Sequence, residues 1–150
     1  HIRSSIQARV KPKWHFIDPS LATAALGVSP DALLEDLQAM GFLFESMAVR
    51  DLRVYADVLD AKVFHYRDSS GLEVDAIVER RNGDWIGVEI KLGGERAIDE
   101  AVANLGKLRS RLTPQKIARL AALCVVTGGQ ASYTRPDGIH VVSLGHLCAK

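Results

Sequence analysis

GLEVDAIVERRNGDWIGVEIK, from Gly71 to Lys91, is the stretch on which the fold turns. Runs rich in β-branched and aromatic residues, predicted as strands over 72–80 and 85–92, flank the turn-rich triplet Arg81-Asn82-Gly83. Two pairings compete. A two-residue Asn82-Gly83 turn would set Arg81 against Asp84, and so Ala76 against Glu89 and Val74 against Lys91, mixing core with charge. A three-residue loop with Gly83 in the left-handed conformation sets Val78 against Ile86, Ala76 against Val88 and Val74 against Ile90. A one-residue slip exchanges the two faces of a strand, so the pairing that makes one face continuously apolar is the one predicted. On its other face Asp75 lies across from Glu89 and Glu73 across from Lys91, with opposed Cβ atoms about 4.5–5.5 Å apart.

Two carboxylates at that spacing repel, so one must hold a proton or a cation must lie between them. A divalent cation resolves the conflict economically. Carboxylate and carbonyl oxygens suit Mg²⁺, which commonly takes only one or two carboxylates from a protein. Lys91, two residues beyond Glu89, points to the same face and adds positive charge there. The plainer alternative is a surface strand pair in which Glu73 attracts Lys91, worth roughly a few tenths of a kcal/mol.

Upstream, a helix is predicted from about Gly41 to Leu59, with Ala48, Val49, Leu52, Ala56 and Leu59 on one apolar stripe. Glu45 falls on that stripe, where a carboxylate is costly unless paired, hydrogen-bonded or bound to a cation. Alternatively it favours the positive helix N-terminus and leans into solvent. Residues 1–13 are polar and basic, with Arg3, Arg9, Lys11 and Lys13 and no helical or strand period. LATAALG reads as a short helix ended by Gly27, and Ser29-Pro30-Asp31 restarts the chain with a cap and a first-turn proline. Residues 1–40 are thus expected to be an N-terminal segment and helical preface cut from a larger protein, and 41–150 the main domain. Downstream of the helix the expected order is strand 62–67, the hairpin, helix 96–111 and strands 121–127 and 139–144.

With 47% hydrophobic and 25% charged residues among 150, the chain has the composition of a soluble globular domain with one core. Cys124 and Cys148 are too few for a disulfide framework, which suits a reducing, cytoplasmic setting. No apolar run reaches the ~18–20 residues of a membrane span, so no membrane partner is expected. The net charge of +1 neither demands nor excludes nucleic acid. His1, His15, His65, His140 and His146 have no metal-ligand spacing and are read as structural or solvent-facing. There is no GxxxxGK[ST] phosphate loop. Lys107, Arg109, Arg111, Lys116 and Arg119 read as a solvated face more readily than as a phosphate-tracking stripe.

Taken together, Glu45 in GFLFE, Asp75 in GLEVD, and Glu89 and Lys91 in VEIK resemble the PD-(D/E)XK nuclease superfamily. More narrowly, WHFIDPSLA, GFLFESMAVRDL, HYRDSSGLEVDAIVE and WIGVEIKLG resemble the C-terminal domain of unknown function of prokaryotic AAA-superfamily ATPases, over about Trp14 to Leu144. Ser20 departs from that pattern, where glycine is common. The resemblance implies an α/β fold with a restriction-endonuclease-like αβββαβ core, a mixed central sheet flanked by helices. It implies that Asp75, Glu89 and the Ile90 carbonyl hold Mg²⁺ or Mn²⁺, that Glu45 is a supporting acid, and that Lys91 stabilises charge or orients water. The implied chemistry is phosphodiester hydrolysis, with DNA as substrate and the ATPase portion of the parent chain as partner. A non-catalytic structural or regulatory module of the ATPase is the competing expectation.

Overall fold

In the computed structural model, which describes residues 13–148, each early helix begins at a side-chain cap. Helix α1 (Pro19–Leu26) starts where the Asp18 carboxylate accepts from the Ser20 N–H, and it ends at Gly27 with φ of 62°. Ser29 caps α2 (Pro30–Glu35), as its Ser-Pro sequence predicts. The long helix α3 (Leu37–Val58) begins earlier than the expected Gly41, because the Asp36 carboxylate accepts from the Ala39 N–H at 3.0 Å. Gly41 is therefore an interior helical residue. Phe44, Ala48, Val49, Leu52 and Ala56 form the buried stripe of α3. Of the basic N-terminal residues, Arg3, Arg9 and Lys11 lie outside the described residues, as does His1.

Six strands follow: β1 (Ala61–Arg67), β2 (Glu73–Arg80), β3 (Trp85–Lys91), β4 (Leu120–Thr127), β5 (Tyr133–Thr134) and β6 (His140–Ser143). They form one sheet in the order β1-β2-β3-β4-β6-β5. The β1-β2-β3 meander is antiparallel, β3-β4 and β4-β6 are parallel, and β5 returns antiparallel to β6. The expected mixed sheet flanked by helices is thus present. Helix α4 (Glu95–Ser110) covers one face through Ala101, Leu105 and Leu108, and α3 covers the other through Phe44, Ala48, Val49 and Leu52. Two short elements were not anticipated. Helix α5 (Pro114–Ile117) starts at a Thr113 cap and is pinned by the Trp85 indole N–H, which donates to the Lys116 carbonyl at 3.1 Å. Strand β5 lies inside what reads as a Gly- and Ser-containing loop. Among the described residues no helix is long and apolar enough to cross a membrane.

The hairpin adopts the three-residue loop. Arg80 N–H donates to the Asp84 carbonyl, Gly83 N–H donates to the Arg80 carbonyl, and Gly83 has φ of 90°. Val78 pairs with Ile86 and Ala76 with Val88, as predicted, and there the paired run stops. The expected continuation through Val74 and Ile90 on the same apolar face is corrected by the outer strand. Phe64 pairs with Ile77 but Tyr66 pairs with Val74, so Asp75 and Ala76 together oppose the single His65. This β-bulge reverses the alternation of β2. Val74 consequently packs with Leu72, Ile77 and Leu105 on the α4 side, whereas Ala76 packs with Val88 and Ile90 on the α3 side.

Candidate functional site

The bulge controls how Asp75 is presented. One step past the last ladder pair, Asp75 Oδ2 accepts the Ile90 N–H at 2.8 Å, so a side chain occupies a backbone donor of β3. The other oxygen, Oδ1, lies 3.3 Å from Lys13 Nζ. Glu89, on the neighbouring strand, is almost fully enclosed, with its side chain 4% exposed. Asn104 of α4 donates through Nδ2 to Glu89 Oε1 at 2.7 Å and to the Glu73 carbonyl at 2.6 Å, tying both strands to the helix.

Two lysines separate the acids into overlapping groups that share Asp75. Lys91 Nζ is 3.0 Å from Glu89 Oε2 and 3.8 Å from Asp75 Oδ2. Lys13 Nζ is 2.6 Å from Glu45 Oε1, 3.3 Å from Asp75 Oδ1 and 3.5 Å from Glu73 Oε1. Glu45 reaches this place from the middle of α3, the direction its position on the apolar stripe predicts. Lys13 stands close, but among the described residues no donor is aligned for a hydrogen bond to the buried Glu45 Oε1. His15 Nε2 lies 3.9 Å from the same oxygen. On the outer side, His65 Nε2 and Glu73 Oε1 are hydrogen-bonded at 2.8 Å.

The charges follow this geometry. Burial pushes the Glu89 carboxyl up, and the Asp75 charge adds to the effect, outweighing the opposing pull of Lys91 and Asn104. Burial disfavours the Lys91 ammonium, but Glu89 and Asp75 more than compensate and hold it charged. Lys13 behaves likewise: desolvation is overcome by Glu45 and Asp75, and its ammonium is strongly favoured. Glu73 is depressed despite partial burial, chiefly through the hydrogen bond from His65 and the nearby Lys13. Burial lowers His15.

The residues singled out from sequence, Glu45, Asp75, Glu89 and Lys91, do meet at one end of the sheet, and Ile90 meets them through its N–H. They meet with lysines interleaved. Among the described residues no three His, Cys, Asp or Glu side chains are grouped so as to form a ready cage for a metal ion. Lys13, expected only as part of a basic segment, His65, expected as structural or solvent-facing, and Asn104 also stand at this place. Asn104 carried a readable sign: it is an amide three residues after Ala101 and one before Leu105, both buried on α4. Lys13 carried none, because its partners lie far along the chain.

Comparison with known proteins found no match among curated proteins and none among solved structures. A family model described as "Domain of unknown function (DUF4143)" matches residues 40–147, which include Glu45, Asp75, Asn104 and both hairpin strands. That match spans well over half of the 150 residues, and the chain therefore belongs to the DUF4143 family.

Proposed function

We propose that this chain is a nuclease-like domain of the PD-(D/E)XK type, the C-terminal part of an AAA-type ATPase, and that it hydrolyses phosphodiesters of DNA in the cytoplasm. The observation that carries this reading is the convergence of Asp75 and Glu89 on Lys91, from two adjacent strands, beside the buried Glu45. An all-oxygen donor set suits Mg²⁺ or Mn²⁺, and the buried Glu45 Oε1, faced by Lys13 at 2.6 Å but with no aligned hydrogen-bond donor among the described residues, is a further oxygen beside it. Asp75, Glu89 and the Ile90 carbonyl would hold the cation, which when bound supplies Lewis acidity and an activated water.

The remaining work falls to the chain's own groups. The Ile90 N–H fixes Asp75 Oδ2, and Asn104 fixes Glu89 Oε1, so the two carboxylates keep their orientation without substrate. Lys91, held charged beside Glu89, offsets negative charge that develops on a phosphate in the transition state. Glu45 adds a third carboxylate from the opposite layer. The test is nicking of supercoiled DNA and cleavage of single-stranded DNA with Mg²⁺ or Mn²⁺, comparing the wild type with Lys91→Ala. Divalent-dependent cleavage lost in Lys91→Ala is the expected result.

One observation favours a second reading, a non-catalytic module seated against the rest of the ATPase. The helical preface leaves Trp14 88% and Ile17 86% exposed, together with Leu21, Leu26 and Leu34. Absence of cleavage by the intact parent protein under all divalent conditions would favour that reading.

A further inference from the structure

We infer that Lys13 is a built-in counter-ion that competes with the divalent cation for Glu45 and Asp75, so that the segment carrying it regulates loading of the site. This inference rests on the metal-dependent reading above and adds its control.

The geometry is that of a substitute cation. A single ammonium contacts three carboxylates from two layers of the fold: Glu45 on α3, and Asp75 and Glu73 on β2. Its approaches of 2.6 Å to Glu45 Oε1 and 3.3 Å to Asp75 Oδ1 occupy carboxylates that the proposed cation would also call on. A divalent ion held through Asp75 would share that carboxylate with Lys13, and the two positive charges would repel, so both cannot be held at full strength. One contact also links the regulator to the proposed chemistry: Asp75 serves Lys13 through Oδ1 while its Oδ2 faces Ile90 and Lys91.

The segment is built to be displaced. Residues 13–17 belong to no helix or strand, and the apolar side chains beside Lys13 contribute little hold, since Trp14 and Ile17 remain in solvent. The Lys13 ammonium and the His15 side chain, only 6% exposed, both face Glu45 in the first half of α3. As a tethered group, Lys13 competes at an effective concentration on the order of millimolar. Movement of residues 13–17 would therefore change the metal affinity of the site, and metal binding would loosen that segment, because coupling between two ligands is reciprocal.

The experiment has two arms on the full chain. Calorimetric titration with Mn²⁺ compares the wild type, Lys13→Gln and the double variant Lys13→Gln/Asp75→Asn. Affinity should rise on the order of tenfold in Lys13→Gln, and binding should be largely lost when Asp75, a proposed ligand, is also replaced. In the second arm the Lys13 amine is acetylated and followed by mass spectrometry. Labelling should be slow in the metal-free wild type and accelerate with saturating Mn²⁺ by a comparable factor. It should also accelerate in metal-free Glu45→Gln. Equal Mn²⁺ affinity in wild type and Lys13→Gln, or Lys13 labelling indifferent to bound Mn²⁺ or to Glu45→Gln, overturns the inference and leaves the metal reading standing. Failure of Mn²⁺ to bind either protein overturns the metal reading itself. The labelling arm with Mn²⁺ needs no substitution, so it decides the matter even where Lys13→Gln lowers stability.

Discussion

Asp75 Oδ2 accepts the Ile90 backbone N–H at 2.8 Å, a bond between a side chain on one strand and the main chain of its neighbour just where their ladder ends. It gives the carboxylate a structural duty as well as a position at the candidate site. The crowding of acids that the sequence suggests is met by Lys13 and Lys91.

Asp75→Asn is accordingly expected to destabilise the metal-free protein, by roughly 1–3 kcal/mol, although it relieves repulsion from Glu89. It removes the charge that Lys13 and Lys91 face, and an amide can keep only the bond to Ile90. Denaturant unfolding of the wild type and the variant, without metal, measures it. A variant as stable as the wild type would mean that relief of repulsion balances the lost pairs.

Asn104→Leu should cost roughly 1–3 kcal/mol, because the enclosed Glu89 Oε1 and the Glu73 carbonyl would both lose their donor. The same change should push the Glu89 carboxyl further up, since Asn104 is one of the groups pulling it down. Carboxyl-carbon NMR titration of Glu89 in both proteins reads that direction. An unchanged or lower value would show that Asn104 does not govern the charge of Glu89.

Asp68 makes stability depend on pH at the β1–β2 connection. Burial would raise its pKa, but the Ser70 hydroxyl, Arg111 and the Ser70 and Leu72 N–H groups outweigh it and bring the carboxyl to about 2 from 3.8. A depressed carboxyl stabilises the fold above its unfolded pKa and loses that contribution as pH falls toward its folded value. The stability advantage of the wild type over Asp68→Asn should therefore be full at neutral pH and shrink between about pH 4 and 2. Urea denaturation at several pH values tests this, and a pH-independent gap would refute it.

Cys124 sits in the apolar layer between β4 and α3, and burial alone pushes its thiol up to about 11. Cys148 is exposed. A disulfide-exchange reagent at neutral pH should titrate one thiol rapidly in the native protein and the second only on unfolding. Rapid reaction of Cys124→Ser with no slow phase, and a single slow phase in Cys148→Ser, would assign the two.

Much of the architecture was readable because it depends on local chemistry. The caps at Asp18 and Ser29, the left-handed Gly83 and the match of Val78 and Ala76 to Ile86 and Val88 all involve residues close in sequence or facing across one turn. The start of α3 lies ahead of Gly41, because the Asp36 cap outweighs the boundary that a glycine suggests. Glu45 was legible as an acid on an apolar stripe, and its need for a partner followed from the cost of burying it.

What the sequence by itself determined is the set of longer helices and strands, the hairpin register near its turn, and the identity of the acids and the lysine at the end of β3. Only the tertiary structure decided how those groups meet. The bulge at Asp75 and Ala76 is invisible in the regular alternation of β2, because pairing with β1 sets where the extra residue is absorbed. Lys13 reaches Asp75 across 62 positions of chain, and no local periodicity reports a contact made only when α3 and the sheet bring two distant segments to one place. Periodicity records which face of an element is buried; the partner of a buried charge depends on where other elements end, and that is settled by packing.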